Sequence, residues 1–103
     1  MTAGVNDVFT ALADPTRRTV MERVARGSAT ATEIAAALPV TRQAVAKHLA
    51  VLQDAGLVRA ERAGRERRFS PTPAPLGEAI SWMASVGGAW DDRLAALRRY
   101  VSR

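Results

Sequence analysis

The stretch TRQAVAKHLAVLQDAG, residues 41–56, has the features of a helix with two different faces. Thr41 is a favourable N-cap, because its hydroxyl can accept a hydrogen bond from an otherwise unpaired N–H of the first turn. Gly56 suits the left-handed position that ends many helices. Apolar residues recur at spacings of four and three, which predicts one buried stripe: Val45, Leu49 and Leu52.

The opposite side of this predicted helix is polar and basic near its N-terminal end. It carries Arg42, Gln43, Ala46 and Lys47. A helix end that is rich in donors and free of acids can enter the major groove of DNA and reach base edges. The alternative is an amphipathic helix whose polar face is only solvated surface, and the flanking segments favour the first interpretation.

The composition limits the classes of protein to consider. With 103 residues the chain is long enough for one small domain, and 48% hydrophobic residues with only 5% aromatics predict an aliphatic core. Cysteine is absent, which excludes disulfides and thiolate metal sites and fits a reducing cytosol. No apolar run approaches membrane-spanning length and no signal-peptide pattern is present, so we expect a cytoplasmic protein that does not contact a membrane.

Positive charge is concentrated in the middle of the chain. The formal net charge is +5, and residues 41–70 carry seven of the fifteen Lys and Arg but only three of the ten acidic residues. Clustered positive charge beside a helix that fits a DNA groove is typical of a nucleic-acid-binding protein.

The segments before residue 41 predict the first half of a helix-turn-helix. Asp14 followed by Pro15 favours a helix start, because the carboxylate can cap and proline is tolerated at the first helical position. Thr30 and Glu33 match a capping box, which predicts a short helix ending at Leu38. Two helices joined by so short a turn, with a basic face on the second, have the arrangement of a helix-turn-helix.

The segment after residue 56 predicts a β-hairpin rich in arginine. Residues 58–62 alternate small or apolar side chains with charged ones, Gly64 provides a turn, and the returning strand carries Phe69 as an inward anchor. Such a hairpin beside a helix-turn-helix is a wing, which we expect to contact phosphates or the minor groove over residues 58–70. Four basic residues cluster in it: Arg62, Arg65, Arg67 and Arg68.

The C-terminal segment predicts a dimerisation helix. Pro71, Pro73 and Pro75 predict a stiff connector at residues 71–75, and a helix follows over residues 76–102. Its apolar residues keep a heptad spacing to the end of the chain, and we expect them to pack in a dimer together with Val5, Val8 and Phe9 of the first helix. The alternative is that part of this seam covers the helix's own domain. The seam consists of Leu76, Ile80, Met83, Gly87, Trp90, Leu94, Leu97 and Val101.

Three features of the sequence leave alternatives open. Gly87 and Gly88 either permit two helices to cross closely or kink the helix. Trp82 and Trp90 either fill the dimer core or line a ligand pocket. His48, the one histidine, either contacts a phosphate or lies at the edge of the core.

Catalytic and metal-binding patterns are missing from the sequence. One histidine without cysteine cannot supply the three or four ligands of a typical protein metal site. No phosphate-binding loop, paired-carboxylate site or activated nucleophile is found, so we expect neither an enzyme nor a cofactor.

Taken together, the segments predict a mainly α fold with a small β-hairpin. This fold is a winged helix-turn-helix with its DNA-binding core at residues 5–70 and a long C-terminal dimerisation helix.

Four segments together resemble the ArsR family of bacterial winged-helix repressors: ALADPTRRTVMERV, TATEIAAAL, TRQAVAKHLAVLQDAGLV and ERAGRERRFS. The last helix, with its Trp82 and Trp90 pattern, is similar to that of a metal-independent branch of the family. Unlike the metal sensors of the family, the helix at residues 33–38 has no cysteine pair and the last helix has no Asp/His ligand set. The resemblance implies a homodimeric, cytoplasmic repressor that binds double-stranded DNA at an inverted-repeat operator. It also implies groove contacts by Thr41, Arg42, Gln43, Ala46 and Lys47, and wing contacts by Arg65 and Arg67.

The resemblance names neither the operator nor an effector. A protein-interaction module, whose apolar seam recruits another helix, is the alternative function.

Overall fold

The computed structural model describes residues 4–101, apart from the side chains of residues 100 and 101. The predicted class is confirmed: the fold is mainly helical, with a small antiparallel sheet and a long final helix. The elements in chain order are α1 (Val5–Ala11), α2 (Pro15–Ala25), β1 (Ala29–Thr30), α3 (Ala31–Ala36), α4 (Arg42–Asp54), β2 (Val58–Ala63), β3 (Glu66–Pro71) and α5 (Pro73–Val101).

Side-chain caps fix where the first helices begin. The Asp14 carboxylate accepts a hydrogen bond from the backbone N–H of Arg17 at 2.9 Å, with Pro15 at the first helical position. At α3 the Thr30 hydroxyl accepts from the N–H of Glu33 at 3.1 Å, and the Glu33 carboxylate accepts from the N–H of Thr30 at 3.3 Å. Both predicted starts are therefore confirmed, whereas α3 ends two residues before the predicted end.

One largely aliphatic core joins α1, α2, α3, α4, the sheet and, through Ala79, the beginning of α5. Val8 is 1% exposed and belongs to this core, so its predicted place in a dimer interface is wrong. The reason is the orientation of α1: Val8 and Ala11 share the face of the helix that turns inward. Val5 and Phe9 are only partly buried and keep an exposed portion.

The predicted hairpin is part of a three-stranded sheet in the order β1-β3-β2. The two residues of β1 pair with β3, Ala29 opposite Phe69 and Thr30 opposite Arg68. Two residues are too few to show alternation, so no pattern in the sequence predicts β1. Between β2 and β3 the loop is Gly64-Arg65; Gly64 has φ 64°, and a positive φ at the first of two loop residues is typical of a type II′ turn.

Helix α5 starts earlier than predicted. It begins at Pro73, so residues 73–75 belong to its first turn and the predicted connector at 71–75 is wrong. The reason is that a missing N–H costs no hydrogen bond in a first helical turn, so proline is tolerated there. The helix continues without interruption through Gly87 and Gly88.

Most of α5 projects from the domain. Its 29 residues correspond to a length of about 43 Å. The radius of gyration is 18.1 Å, whereas a compact chain of this size has about 13 Å. Near its beginning the helix packs on α1, where the rings of Phe9 and Trp82 meet edge to face at 5.6 Å.

Candidate nucleic-acid interface

The buried apolar stripe of helix α4 fixes the rotation of the helix about its own axis. The Thr41 hydroxyl accepts from the N–H of Ala44 at 3.1 Å and caps the first turn. At the other end Gly56 has φ 77°, and the N–H of Leu57 donates to the carbonyl of Leu52 at 2.9 Å, as in a Schellman motif. The predicted cap, stripe and end are confirmed, because three stripe residues are 0% exposed: Val45, Leu49 and Leu52.

The opposite side of α4 is uncovered. Successive residues of a helix are about 100° apart, so Gln43 and Lys47 point directly away from the buried stripe. Arg42 and Ala46 are turned towards the sheet, and all four residues are exposed. The donors that the sequence selected are therefore accessible on one surface at the N-terminal end of α4.

His48 lies on a third side of α4, against α2. It is partly buried, and its Nδ1 is 3.5 Å from Nη1 of Arg17. His48 keeps an exposed portion, so both of its predicted positions, at the edge of the core and against a phosphate, stay open. Among the described residues no group of three or more His, Cys, Asp or Glu side chains comes close enough to hold a metal ion.

The hairpin β2–β3 has an inner face, turned towards α4, and an outer face. Alternate residues of a strand lie on opposite faces, so the buried Val58 and Phe69 define the inner one. The inner face also carries Ala60 opposite Phe69 and Arg62 opposite Arg67. The outer face consists of three cross-strand pairs: Arg59 with Ser70, Glu61 with Arg68, and Ala63 with Glu66.

Charges on the outer face are paired within the chain. The guanidinium of Arg59 lies 3.0 Å from the carboxylate of Glu61. That of Arg68 is 2.8 Å from Glu33 and 3.1 Å from Glu66, and it also donates to the carbonyl of Ser28 at 3.0 Å.

The structure therefore separates Arg68 from the other arginines of the wing that were predicted to contact DNA. Strand alternation places Arg68 on the outer face, where its guanidinium is already engaged by two carboxylates and one carbonyl. Its role is to join β3 to the start of α3, because Glu33 is at the same time part of the α3 capping box.

Hydrogen bonds and ion pairs shift three pKa values in this part of the chain and at α2. The N–H of Thr30, followed by the Arg68 guanidinium, holds the pKa of Glu33 below its ordinary value of 4.5. Glu33, followed by Glu66, raises the pKa of Arg68. At the start of α2 the N–H of Arg17 lowers the pKa of Asp14. All three shifts favour the charged form of the group.

The cations of the inner face lack such partners. Arg62 and Arg67 stand directly opposite each other. The guanidinium carbon of Arg67 is 5.4 Å from the centre of the Phe69 ring, and its Nη2 donates to the side-chain carbonyl of Gln53 at 3.4 Å. Within the described residues, no acidic side chain forms an ion pair with Arg62, Arg67 or the turn residue Arg65.

A cleft of about 560 Å³ separates α4 from the inner face. Its α4 wall consists of Arg42, Ala46, Ala50 and Gln53, one per turn along the helix. The opposite wall consists of Arg67 and Phe69 of the inner face, together with Arg65 and Glu66 at the tip of the hairpin. The start of α3 closes one end at residues 30–33. The two small alanine side chains leave the middle of the cleft open.

Helix α5 presents a continuous apolar stripe to solvent. Its exposed members include Trp90 at 59% and Leu97 at 58%, values that are high for such large apolar side chains. Leu76, by contrast, is partly buried against the core, and the predicted contact at Val101 falls outside the described side chains. The other exposed members are Ile80, Trp82, Met83, Val86 and Leu94.

No helix within residues 4–101 combines the length and the apolar character needed to span a membrane.

Sequence reasoning did not identify every residue that shapes this interface. Gln53 was not selected, because a single glutamine at a helix end has no distinctive pattern. Arg17 and Arg18 donate to the carbonyls of Ala11 and Leu12 at 2.6 and 2.7 Å, and so satisfy acceptors at the end of α1. These contacts depend on the angle between two helices, which the sequence does not show.

Comparison with known proteins relates most of the chain to transcriptional regulators. A family model described as a helix-turn-helix domain matches residues 12–61. The transcriptional repressor SdpR of Bacillus subtilis is 30% identical over 90 residues, which cover 87% of this chain and 100% of SdpR.

Solved structures agree with this relationship. An ArsR-like transcriptional regulator from Rhodococcus sp. RHA1 is 40% identical, with a TM-score of 0.79 over 92% of this chain and 90% of that one. The homodimeric winged helix-turn-helix DNA-binding domain of Mb0332 from Mycobacterium bovis shares the fold at 24% identity, with a TM-score of 0.66 over 82% of this chain and 78% of that one. The chain therefore belongs to the ArsR family of winged helix-turn-helix regulators, which bind DNA to control transcription and are not enzymes.

Proposed function

We propose that the protein is a homodimeric repressor that binds an inverted-repeat operator in double-stranded DNA. The observation that carries this proposal is the uncovered basic end of α4, which lies beside a wing whose inner arginines form no ion pair with any described residue. The repressor SdpR among its relatives supports the sign of regulation, and the homodimeric M. bovis domain supports the assembly.

The reading surface is the exposed N-terminal end of α4. Gln43 and Lys47 point away from the protein and reach base edges in the major groove, while Arg42 and Ala46 lie beside the cleft. The Thr41 hydroxyl already accepts the capping hydrogen bond, and its own proton is available for a phosphate. His48 and Arg68 lie apart from this surface, because His48 is on the side of α4 that faces α2 and Arg68 is on the outer face of the hairpin.

The wing tip extends the surface beyond α4. Arg65 lies in the two-residue turn at the end of the hairpin and is exposed. With α4 in the major groove, an arginine at the tip is placed for the adjacent minor groove, where the negative potential is strong if the groove is narrow.

The dimer interface is formed by the apolar stripe of α5 with the exposed parts of Val5 and Phe9. A helix that projects from its domain with such a stripe uncovered gains most from a second copy, because a two-fold axis brings the same stripe onto itself. Gly87 lies on the stripe, and a Cβ added there would meet nothing within 4 Å in one chain, so space remains for a partner helix. The proposed core consists of Ile80, Met83, Trp90, Leu94 and Leu97.

The dimer sets the spacing of the operator. Two recognition helices related by a two-fold axis contact half-sites that are about 34–36 Å apart. Such a regulator acts where the chromosome is, which implies a cytoplasmic, nucleoid-associated protein.

Selection of duplexes from a random library tests the proposal. We expect enrichment of a palindrome whose half-sites are about one helical turn apart, bound by two chains as measured by sedimentation. Binding that is independent of sequence, or a monomer that binds one half-site with full affinity, would contradict it.

A further inference from the structure

The two faces of the wing hairpin differ in how their charges are balanced. On the outer face every arginine has a carboxylate partner: Arg59 pairs with Glu61, and Arg68 with Glu33 and Glu66. On the inner face Arg62 and Arg67 occupy directly opposite positions, with no acidic partner among the described residues. Like charges directly opposite in an antiparallel pair are destabilising, so the free protein retains an unfavourable contact that an anion would relieve.

One of these two arginines is already oriented. Phe69 lies against the guanidinium of Arg67 at 5.4 Å, and Gln53 accepts one of its N–H groups at 3.4 Å. Both contacts direct Arg67 into the cleft and reduce the conformational entropy that binding would otherwise remove. A guanidinium held in this way presents its remaining N–H groups as a planar fork, which matches two oxygens of a phosphate.

The opposite wall of the cleft completes the surroundings of an anion. Arg42 adds a third unpaired cation, whereas Ala46 and Ala50 add no bulk between the walls. Two acids line the cleft, Glu33 and Glu66, and they share the single positive charge of Arg68. Three further arginines line the cleft, so with Arg68 four cations face two carboxylates: Arg42, Arg65 and Arg67. The net charge in the cleft is therefore positive.

We propose that this cleft binds a backbone phosphate of the DNA strand that runs between the groove read by α4 and the groove entered by the wing. The inference rests on the proposed function, and it assigns different tasks to the wing arginines. Arg67 binds the phosphate from the wall of the cleft, and Arg62, opposite Arg67 but outside the cleft lining, adds positive charge beside it. Arg65 enters the minor groove, and Arg59 on the outer face contacts no DNA.

The test compares Arg67→Ala with its matched control Arg59→Ala, which removes the same side chain from the outer face of the same hairpin. Operator affinity is measured by fluorescence anisotropy between about 0.05 and 0.2 M salt. Loss of one phosphate contact per protomer should reduce the slope of log affinity against log salt by about 1.8 per dimer, and the control should keep the parent slope. Between the lowest and the highest salt concentration, the ratio of the parent's operator affinity to that of Arg67→Ala should fall about twelvefold.

Neutral phosphates locate the contact independently. Operators with one methylphosphonate per half-site are bound to the parent protein and to Arg67→Ala. A methylphosphonate at one position should weaken operator binding by the parent and leave operator binding by Arg67→Ala unchanged. Arg62→Ala serves as the second variant, because it should weaken binding at low salt while melting at or above the temperature of the parent, since it removes the repulsion.

Each outcome decides the matter. Equal slopes for Arg67→Ala and Arg59→Ala, or the lack of any methylphosphonate position that distinguishes parent from Arg67→Ala, would overturn the phosphate site. Stabilisation of the parent by inorganic phosphate through Arg67, with an unchanged DNA slope, would also overturn it and indicate a free anion. In all these cases the parent still binds its operator; failure of the parent to bind any duplex would instead refute the proposed function.

Discussion

Replacement of Trp90 by alanine should weaken the proposed dimer more than any other single truncation on α5. The side chain is 59% exposed in one chain. For an aromatic side chain of about 250 Å², this exposed fraction corresponds to about 150 Å². Complete coverage by the partner would contribute about 3.5 kcal/mol per side chain, and incomplete coverage about half of that.

Two copies contribute to one dimer, so Trp90→Ala should cost about 3–4 kcal/mol of dimerisation free energy. That value corresponds to a rise of a few hundredfold in the dimer dissociation constant. Sedimentation velocity over a concentration series measures the constant, and thermal melting monitored by circular dichroism verifies that the variant folds. Ser85→Ala is the matched control, because Ser85 is exposed on the opposite side of the same helix.

A folded Trp90→Ala protein that dimerises within twofold of the parent would refute the assignment of the stripe to a second copy. The same conclusion would follow if Ser85→Ala weakened the dimer equally, since the interface would then not be confined to one side of α5.

Three further predictions concern base recognition and stability. Gln43→Ala should lower discrimination at one operator position by about 1–3 kcal/mol, as measured by competition between operators that differ at one base pair, and an unchanged preference would remove Gln43 from the reading surface. The pKa of Glu33 is lowered, so its contacts with Thr30 and Arg68 stabilise the fold above about pH 4.5. This contribution is lost as the pH falls through the folded pKa of Glu33. Between about pH 5 and 3, the melting temperature of Glu33→Gln should therefore fall less steeply than that of the parent. Gly56→Ala should destabilise the chain by about 1 kcal/mol, since Gly56 has φ 77°, whereas Gly88→Ala within helix α5 should stabilise it by a similar amount in denaturant titrations.

Local signals were sufficient for most of the fold and part of the site. Thr30, Thr41 and Asp14 each cap a helix because the cap depends on residues within one turn, and the stripe that orients α4 depends on spacing alone. The exposed side of α4 followed from the same spacing. These features need no knowledge of distant contacts.

The errors arose where contacts between segments that are distant in the sequence determine the position of a side chain. Val8 has the same local pattern as an interface residue, and only the angle between α1 and its neighbours shows that it is buried. Arg68 is adjacent to Arg67 in the chain, yet strand alternation and the two-residue strand β1 place their side chains on opposite faces of the hairpin. The proximity of Arg67 and Arg68 in the sequence therefore suggested one basic cluster. In the fold the two side chains lie on opposite faces of the hairpin and have different partners.

The double use of Glu33 has a consequence for local unfolding. The Glu33 carboxylate accepts a hydrogen bond from the N–H of Thr30, which caps the first turn of α3, and it also binds Arg68 of the wing. Detachment of the hairpin would therefore leave that turn less well capped. Opening of the hairpin and fraying of α3 are then one cooperative event, and their amide protons should exchange with solvent at similar rates. The wing hairpin and α3, which precedes the recognition helix α4, would therefore become ordered or disordered together.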